Sequence, residues 1–117
     1  METYDKGRLG EDLAALYLEE HGCRILQRNY RREGCEIDLV AMEKDTLVFA
    51  EVKARSSRAW GYGREAVDAA KQRRIIRAAQ TYLQETEYAG PCRFDVVEVD
   101  LNTRSIVWIR DAFSVVE

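Results

Sequence analysis

The sequence predicts an α/β (α+β) fold: a mixed β-sheet of about five strands flanked by helices, in the order αβββαββ. Three observations carry that prediction. Two stretches with helical periodicity, at 6–21 and 64–86, stand apart from stretches that alternate or run apolar as strands do. Two strand-like stretches, at 36–55 and 93–111, fold back on themselves about short turn sequences. The second helix lies between strands, where it can serve as the crossover that a parallel pair requires. With 117 residues, 46% hydrophobic, one proline and seven glycines, the chain has the length of one domain, 1–117, and the apolar content to build a core.

The elements follow in order. In the first helix, from about Lys6 to His21, Leu9, Leu13, Leu16, Tyr17 and Glu20 fall at i, i+4, i+7, i+8 and i+11. That stripe is expected to face the core, and Gly22 to stop the helix. Cys23 to Tyr30 alternates loosely and reads as a short strand ended by charged residues. A hairpin, EIDLVAMEKDTLVFAEVKAR (36–55), comes next. SSRAWGYG (56–63) has neither period and reads as a loop that presents Trp60 and Tyr62, either to unpaired bases or to the core. The second helix, from about Arg64 to Thr86, puts Val67, Lys71, Ile75, Ala78 and Tyr82 on one stripe and points Arg73, Arg74 and Arg77 elsewhere. The chain closes with a second hairpin, turning at about Leu101 to Arg104.

The first hairpin holds more charge than a buried pair of strands should. Alternation puts Ile37, Leu39, Ala41, Val48, Ala50 and Val52 on one wholly apolar face. A turn centred on Lys44 and Asp45 makes paired residue numbers sum to 89. Asp38 then faces Glu51 and Glu36 faces Lys53, while Val40 meets Phe49 and Met42 meets Leu47. Like charges directly opposite in an antiparallel pair are destabilising, and burial raises that cost. A divalent cation removes the difficulty, since Mg²⁺ is held by one or two carboxylates with water and phosphate completing its shell. Lys53, two residues beyond Glu51 on the same face, is set to move a proton or offset charge at a phosphate. Taken alone, Glu-x-Lys on a strand is more often an exposed charge pair; the register makes the difference, and an odd turn or a bulge would undo it.

Charge elsewhere is segregated despite a net charge of −3. Residues 24–32 carry four arginines and no acid, and residues 53–77 carry eight basic residues against Glu65 and Asp68. Together they hold twelve of the eighteen basic residues, a pattern that fits a nucleic-acid footprint better than an evenly solvated surface. Arg28, Arg31, Arg55, Arg58, Lys71, Arg73, Arg74 and Arg77 are the candidate backbone contacts. No stretch is long and apolar enough to span a membrane, the start carries no secretory pattern, and three scattered cysteines with one histidine make no zinc motif. The chain is expected to be cytoplasmic, with free thiols.

A helix with an acid, then Asp on one arm of a hairpin and Glu-x-Lys on the other, resembles the PD-(D/E)xK nuclease superfamily. More closely, G-R-L-G-E (7–11) with Ala14, Tyr17 and Leu18, R-N-Y-R (28–31), E-I-D-L-V-A (36–41), L-V-F-A-E-V-K-A-R (47–55), Lys71 with Arg73 and Arg74, Tyr82-Leu83 and R-F-D-V-V (93–97) are similar to the bacterial UPF0102 (YraN) family. That family is described as predicted endonucleases related to archaeal Holliday junction resolvases. The resemblance implies a restriction-endonuclease-like sheet, Asp38 and Glu51 as ligands of Mg²⁺ or Mn²⁺, Lys53 as the catalytic lysine and Glu11 as an auxiliary acid. Ile37 stands where the superfamily's name has proline. Cys35 stands where the family usually has glycine, leaving either a distorted turn or Gly34 in that role.

The function expected from this reading is metal-dependent endonucleolytic hydrolysis of DNA phosphodiester bonds, with branched substrates implied by the resolvase likeness alone. The main rival is a non-catalytic nucleic-acid-binding module on the same scaffold. The sequence holds no signal for a homodimer.

Overall fold

The computed structural model describes residues 6–56 and 67–115. Its elements are α1 (Lys6–Glu20), β1 (Cys23–Arg32), β2 (Cys35–Glu43), β3 (Thr46–Arg55), α2 (Ala69–Thr86), β4 (Cys92–Asp100) and β5 (Ile106–Phe113). The strands form one five-stranded sheet in the order β1-β2-β3-β4-β5. Its neighbours are antiparallel except β3 and β4, which run parallel and are joined through α2. The expected element order and mixed sheet are therefore what the chain forms.

Alternation along the strands divides the core between the two faces. Leu39, Ala41, Val48, Ala50, Val97 and Val99 pack with Ala14, Ala15 and Leu18 of α1. Val40, Leu47, Phe49, Phe94 and Val96 pack with Ile75, Ala78, Ala79 and Tyr82 of α2. Tyr82 sets its ring edge-on to Tyr30 and Phe49, with centroids 5.2 and 5.8 Å away. Each fully buried Val, Leu or Phe contributes about 1.5–3 kcal/mol, enough in sum to tolerate the buried carboxylates Glu51, Asp95 and Glu98.

The first helix lies on the sheet by a different stripe from the one its large side chains mark out. Gly10, Ala14, Ala15 and Leu18 are buried, Leu9, Leu13 and Tyr17 border them, and Leu16 is 52% exposed with Glu20 exposed beside it. The cause is close approach: a Cβ on Gly10 would lie 2.5 Å from Cβ of Ala54, so small residues set the contact and larger ones flank it. Gly22 ends the helix at φ +98 as expected.

Two turns fix the register that follows. Glu33 (φ +53) and Gly34 (φ +79) form the two-residue link between β1 and β2, so Gly34 takes the turn that Cys35 leaves. Lys44 (φ +53) and Asp45 join β2 to β3, and every pair from Leu39↔Ala50 to Glu43↔Thr46 sums to 89 as the sequence implies. The expected apolar face fails in one place. Ile37 packs on the α2 side with Val40 and not with Leu39 and Ala41. Between the pairs Arg28↔Leu39 and Tyr30↔Ile37 stand Asn29, left-handed at φ +54, and Asp38, and there the alternation of both strands breaks.

The second helix begins at Ala69, later than its periodicity implies; 64–66 of its expected start lie outside the described residues. Asp68 is its N-cap, accepting a 2.8 Å hydrogen bond from the Lys71 amide, and Val67 stays buried ahead of it. No helix among the described residues is long and apolar enough to cross a membrane.

Candidate functional site

Strands β2 and β3 part company at their open end, and a charged cleft forms in the gap. The last paired residues are Leu39 and Ala50. Beyond them Asp38 meets β3 through its side chain: the Val52 amide donates to Asp38 Oδ2 at 2.8 Å. A cleft of about 350 Å³ opens there, lined by Gly7, Glu11, Asp38, Glu51, Val52, Lys53, Ala54, Arg55 and Lys71. Four elements thus contribute to it: the first turns of α1, the kink of β2, the end of β3 and the first turn of α2.

Its electrostatics are those of two neighbouring carboxylates, one of them bonded to a lysine. Burial is the main cause that pushes the Asp38 carboxyl up to about 8; the Glu51 charge, hydrogen bonding to Glu51 and, least, the Glu11 charge add to it, against the opposing Val52 amide. Glu51 is 4% exposed, and its Oε2 lies 2.8 Å from the Lys71 ammonium. That bond, opposed by desolvation, raises the Lys71 pKa above the ordinary lysine value. Lys53 also lines the cleft, and among the described residues no ion pair involves it.

Asp38, Glu51, Lys53 and Glu11 therefore meet in one cleft. Lys71, read from sequence as a phosphate contact, stands in the same cleft as the ion-pair partner of Glu51. A signal for this was present: Lys71 sits on the buried stripe of α2, four residues before Ile75, where a charged side chain needs a partner. Glu36 does not face Lys53; β1 takes it instead, with Arg31 opposite and the two side chains 3.4 Å apart.

The arginines divide into three groups. Arg55 points into the sheet layer, its Nε 3.5 Å from the fully buried Glu98 of β4. Arg28 lies 3.8 Å from Glu11 and hydrogen-bonds Asp12; together with Arg8 and Arg31 it lines a second cleft, of about 530 Å³, that shares Gly7 and Glu11 with the first. Arg73, Arg74 and Arg77 are exposed on α2 and border a hollow of about 400 Å³ against the Glu33–Gly34 turn. Arg58, Trp60 and Tyr62 lie outside the described residues.

Among the described residues no three His, Cys, Asp or Glu side chains group as metal ligands. A hard divalent cation does not require three: Mg²⁺ is usually held by one or two carboxylates, and the paired oxygens of Asp38 and Glu51 are donors of that kind.

Comparison with known proteins gives a consistent answer. A family model described as "Uncharacterised protein family UPF0102" matches residues 10–99. A UPF0102 protein of Chlorobium chlorochromatii is 48% identical over 95% of this chain and 92% of its own. Similar proteins of Nitrosococcus oceani and of a Janthinobacterium species are 45% and 42% identical, over 95% and 91% of this chain and 93% and 85% of theirs.

Proposed function

The chain belongs to the UPF0102 family, and from that premise we propose that it is a divalent-metal-dependent endonuclease that hydrolyses phosphodiester bonds in DNA, branched DNA included. The observation that carries the reading is the meeting of Asp38 and Glu51 in one cleft, with Lys53 on its wall and Lys71 2.8 Å from Glu51. A buried carboxylate pair costs stability, and such pairs gather where function uses them.

In this reading Asp38 and Glu51 hold Mg²⁺ or Mn²⁺, which when bound supplies positive charge at the phosphate and a more acidic water. The Val52 amide fixes one Asp38 oxygen and so orients the other. Lys53, with no ion pair among the described residues, offers an ammonium to a phosphate oxygen or exchanges a proton with the attacking water. Glu11, on the α1 side of the cleft, orients water from the opposite wall. Arg28 and Arg31 on one flank, and Arg73, Arg74 and Arg77 on the other, are suited to phosphates on either side of the scissile bond and specify little sequence.

One observation favours the second reading, a non-catalytic nucleic-acid-binding module: Lys71 already balances Glu51 without a cation. Incubation of the protein with four-way junction, flap and single-stranded DNA separates the two. Cleavage is expected with Mg²⁺ or Mn²⁺ and none with EDTA. DNA affinity should fall linearly with the logarithm of salt, the slope shallower by about three when Arg73, Arg74 and Arg77 are all alanine. Salt-sensitive binding that ignores metal, with no cleavage, would favour the module. No salt-sensitive DNA affinity at all would remove both and leave a basic face that docks on an acidic protein.

A further inference from the structure

The two lysines of the cleft are not equivalent. Lys53 comes from β3 beside Glu51 and, among the described residues, pairs with no carboxylate. Lys71 comes from the other side of the cleft, from the first turn of α2, where its own amide is held by the Asp68 side chain at 2.8 Å. Its backbone is thereby anchored, and its ammonium reaches 2.8 Å from an oxygen of a carboxylate that is 4% exposed. The lysine side chain itself is 39% exposed, so it bridges the buried acid and the solvent at the cleft mouth.

A carboxylate as buried as Glu51, beside Asp38, is not left uncompensated. A divalent cation held by the same pair would bring its charge to the oxygen that Lys71 now occupies, and two cations at that oxygen would repel. One must leave. Lys71 has a way out toward solvent, where a DNA phosphate would lie, and a lysine ammonium serves a phosphate as a mobile point charge.

We propose that Lys71 is a resident counter-ion of the cleft: it balances Glu51 in the metal-free protein, gives up Glu51 Oε2 when a divalent cation enters, and swings to the cleft mouth to meet a substrate phosphate. This rests on the reading of Asp38 and Glu51 as cation ligands. It makes Lys71 a positioning residue that weakens cation binding in the absence of DNA, so that cation and substrate assist one another's binding.

The test is a Mn²⁺ titration without DNA, following the free ion by electron paramagnetic resonance, on wild type, Lys71→Met and Glu51→Gln. Lys71→Met is expected to bind Mn²⁺ about tenfold more tightly than wild type, since the competing charge is gone, and Glu51→Gln to lose binding. A second measurement needs no variant. In ¹⁵N-lysine spectra of the wild type, the Lys71 ammonium signal, sheltered by Glu51, is expected to disappear or shift as Mg²⁺ saturates the site. Unaltered or weaker Mn²⁺ binding by Lys71→Met, or a Lys71 signal unmoved by saturating Mg²⁺, overturns the inference while leaving Glu51 as a ligand. If Glu51→Gln binds Mn²⁺ as wild type does, the reading of the carboxylates falls and the inference with it.

Discussion

Lys53→Ala and Glu51→Ala are each expected to lower the single-turnover rate of DNA cleavage by roughly 10²–10⁴-fold, the range a positioned proton-transfer or charge-stabilising group supplies. Both variants should keep most of their DNA affinity, because the arginines on the flanks are untouched. The two should fail differently. Lys53 takes part in no ion pair among the described residues, so its loss leaves the fold and the cation affinity near those of wild type. Glu51 is buried and bonded to Lys71, so its loss also abolishes cation binding and frees Lys71. Cleavage rates and DNA binding measured side by side check this. Equal trace cleavage by wild type and both variants would mark the activity as a contaminant.

Asp38→Asn is expected to do two opposite things: end cation binding and stabilise the metal-free protein at alkaline pH. Asparagine keeps an oxygen to accept the Val52 amide and carries no charge to bury. The direction follows from proton linkage. Asp38 binds its proton more tightly in the folded chain, up to about 8, than in the unfolded chain, near the ordinary 3.8. Between those values the folded state holds the extra proton, so stability is full below about pH 4 and is lost as pH rises toward 8. The loss is at most about 1.4 kcal/mol per pH unit. Thermal melts of metal-free protein should therefore show wild type losing stability from pH 5 to pH 8 relative to Asp38→Asn. Mg²⁺ should restore wild type by binding the folded state and leave the variant unchanged. Parallel pH profiles for the two proteins would contradict the burial of a protonated Asp38.

Much of this was legible in the sequence, and the exceptions have physical causes. The register of the first hairpin could be counted because a short turn at Lys44 and Asp45 leaves the alternation no freedom, and the pairs near the turn obey it. What could not be counted was its far end. The switch of faces at Asp38 and Asn29 involves neither glycine nor proline, and it moves Ile37 to the other core and Glu36 to Arg31. The same switch brings the Asp38 carboxylate to the β3 backbone, where strict alternation would have set it across from Glu51 as one more ladder pair. On α1, reading by bulk picked out the leucines, while the contact is made by Gly10, Ala14 and Ala15, because a helix lies closest where its side chains are smallest. On α2, periodicity could not place the start that the Asp68 cap sets, and so missed that Lys71 stands in the first turn facing Glu51.

Diffraction from crystals soaked in Mn²⁺ tests the central claim most directly, because the ion's anomalous signal marks its position independently of any assay. One peak is expected in the cleft, about 2.1 Å from an oxygen of Asp38 and from an oxygen of Glu51, as the coordination distance of a hard divalent cation requires. A cleft without a peak at saturating Mn²⁺, or an ion bound only elsewhere, would contradict it.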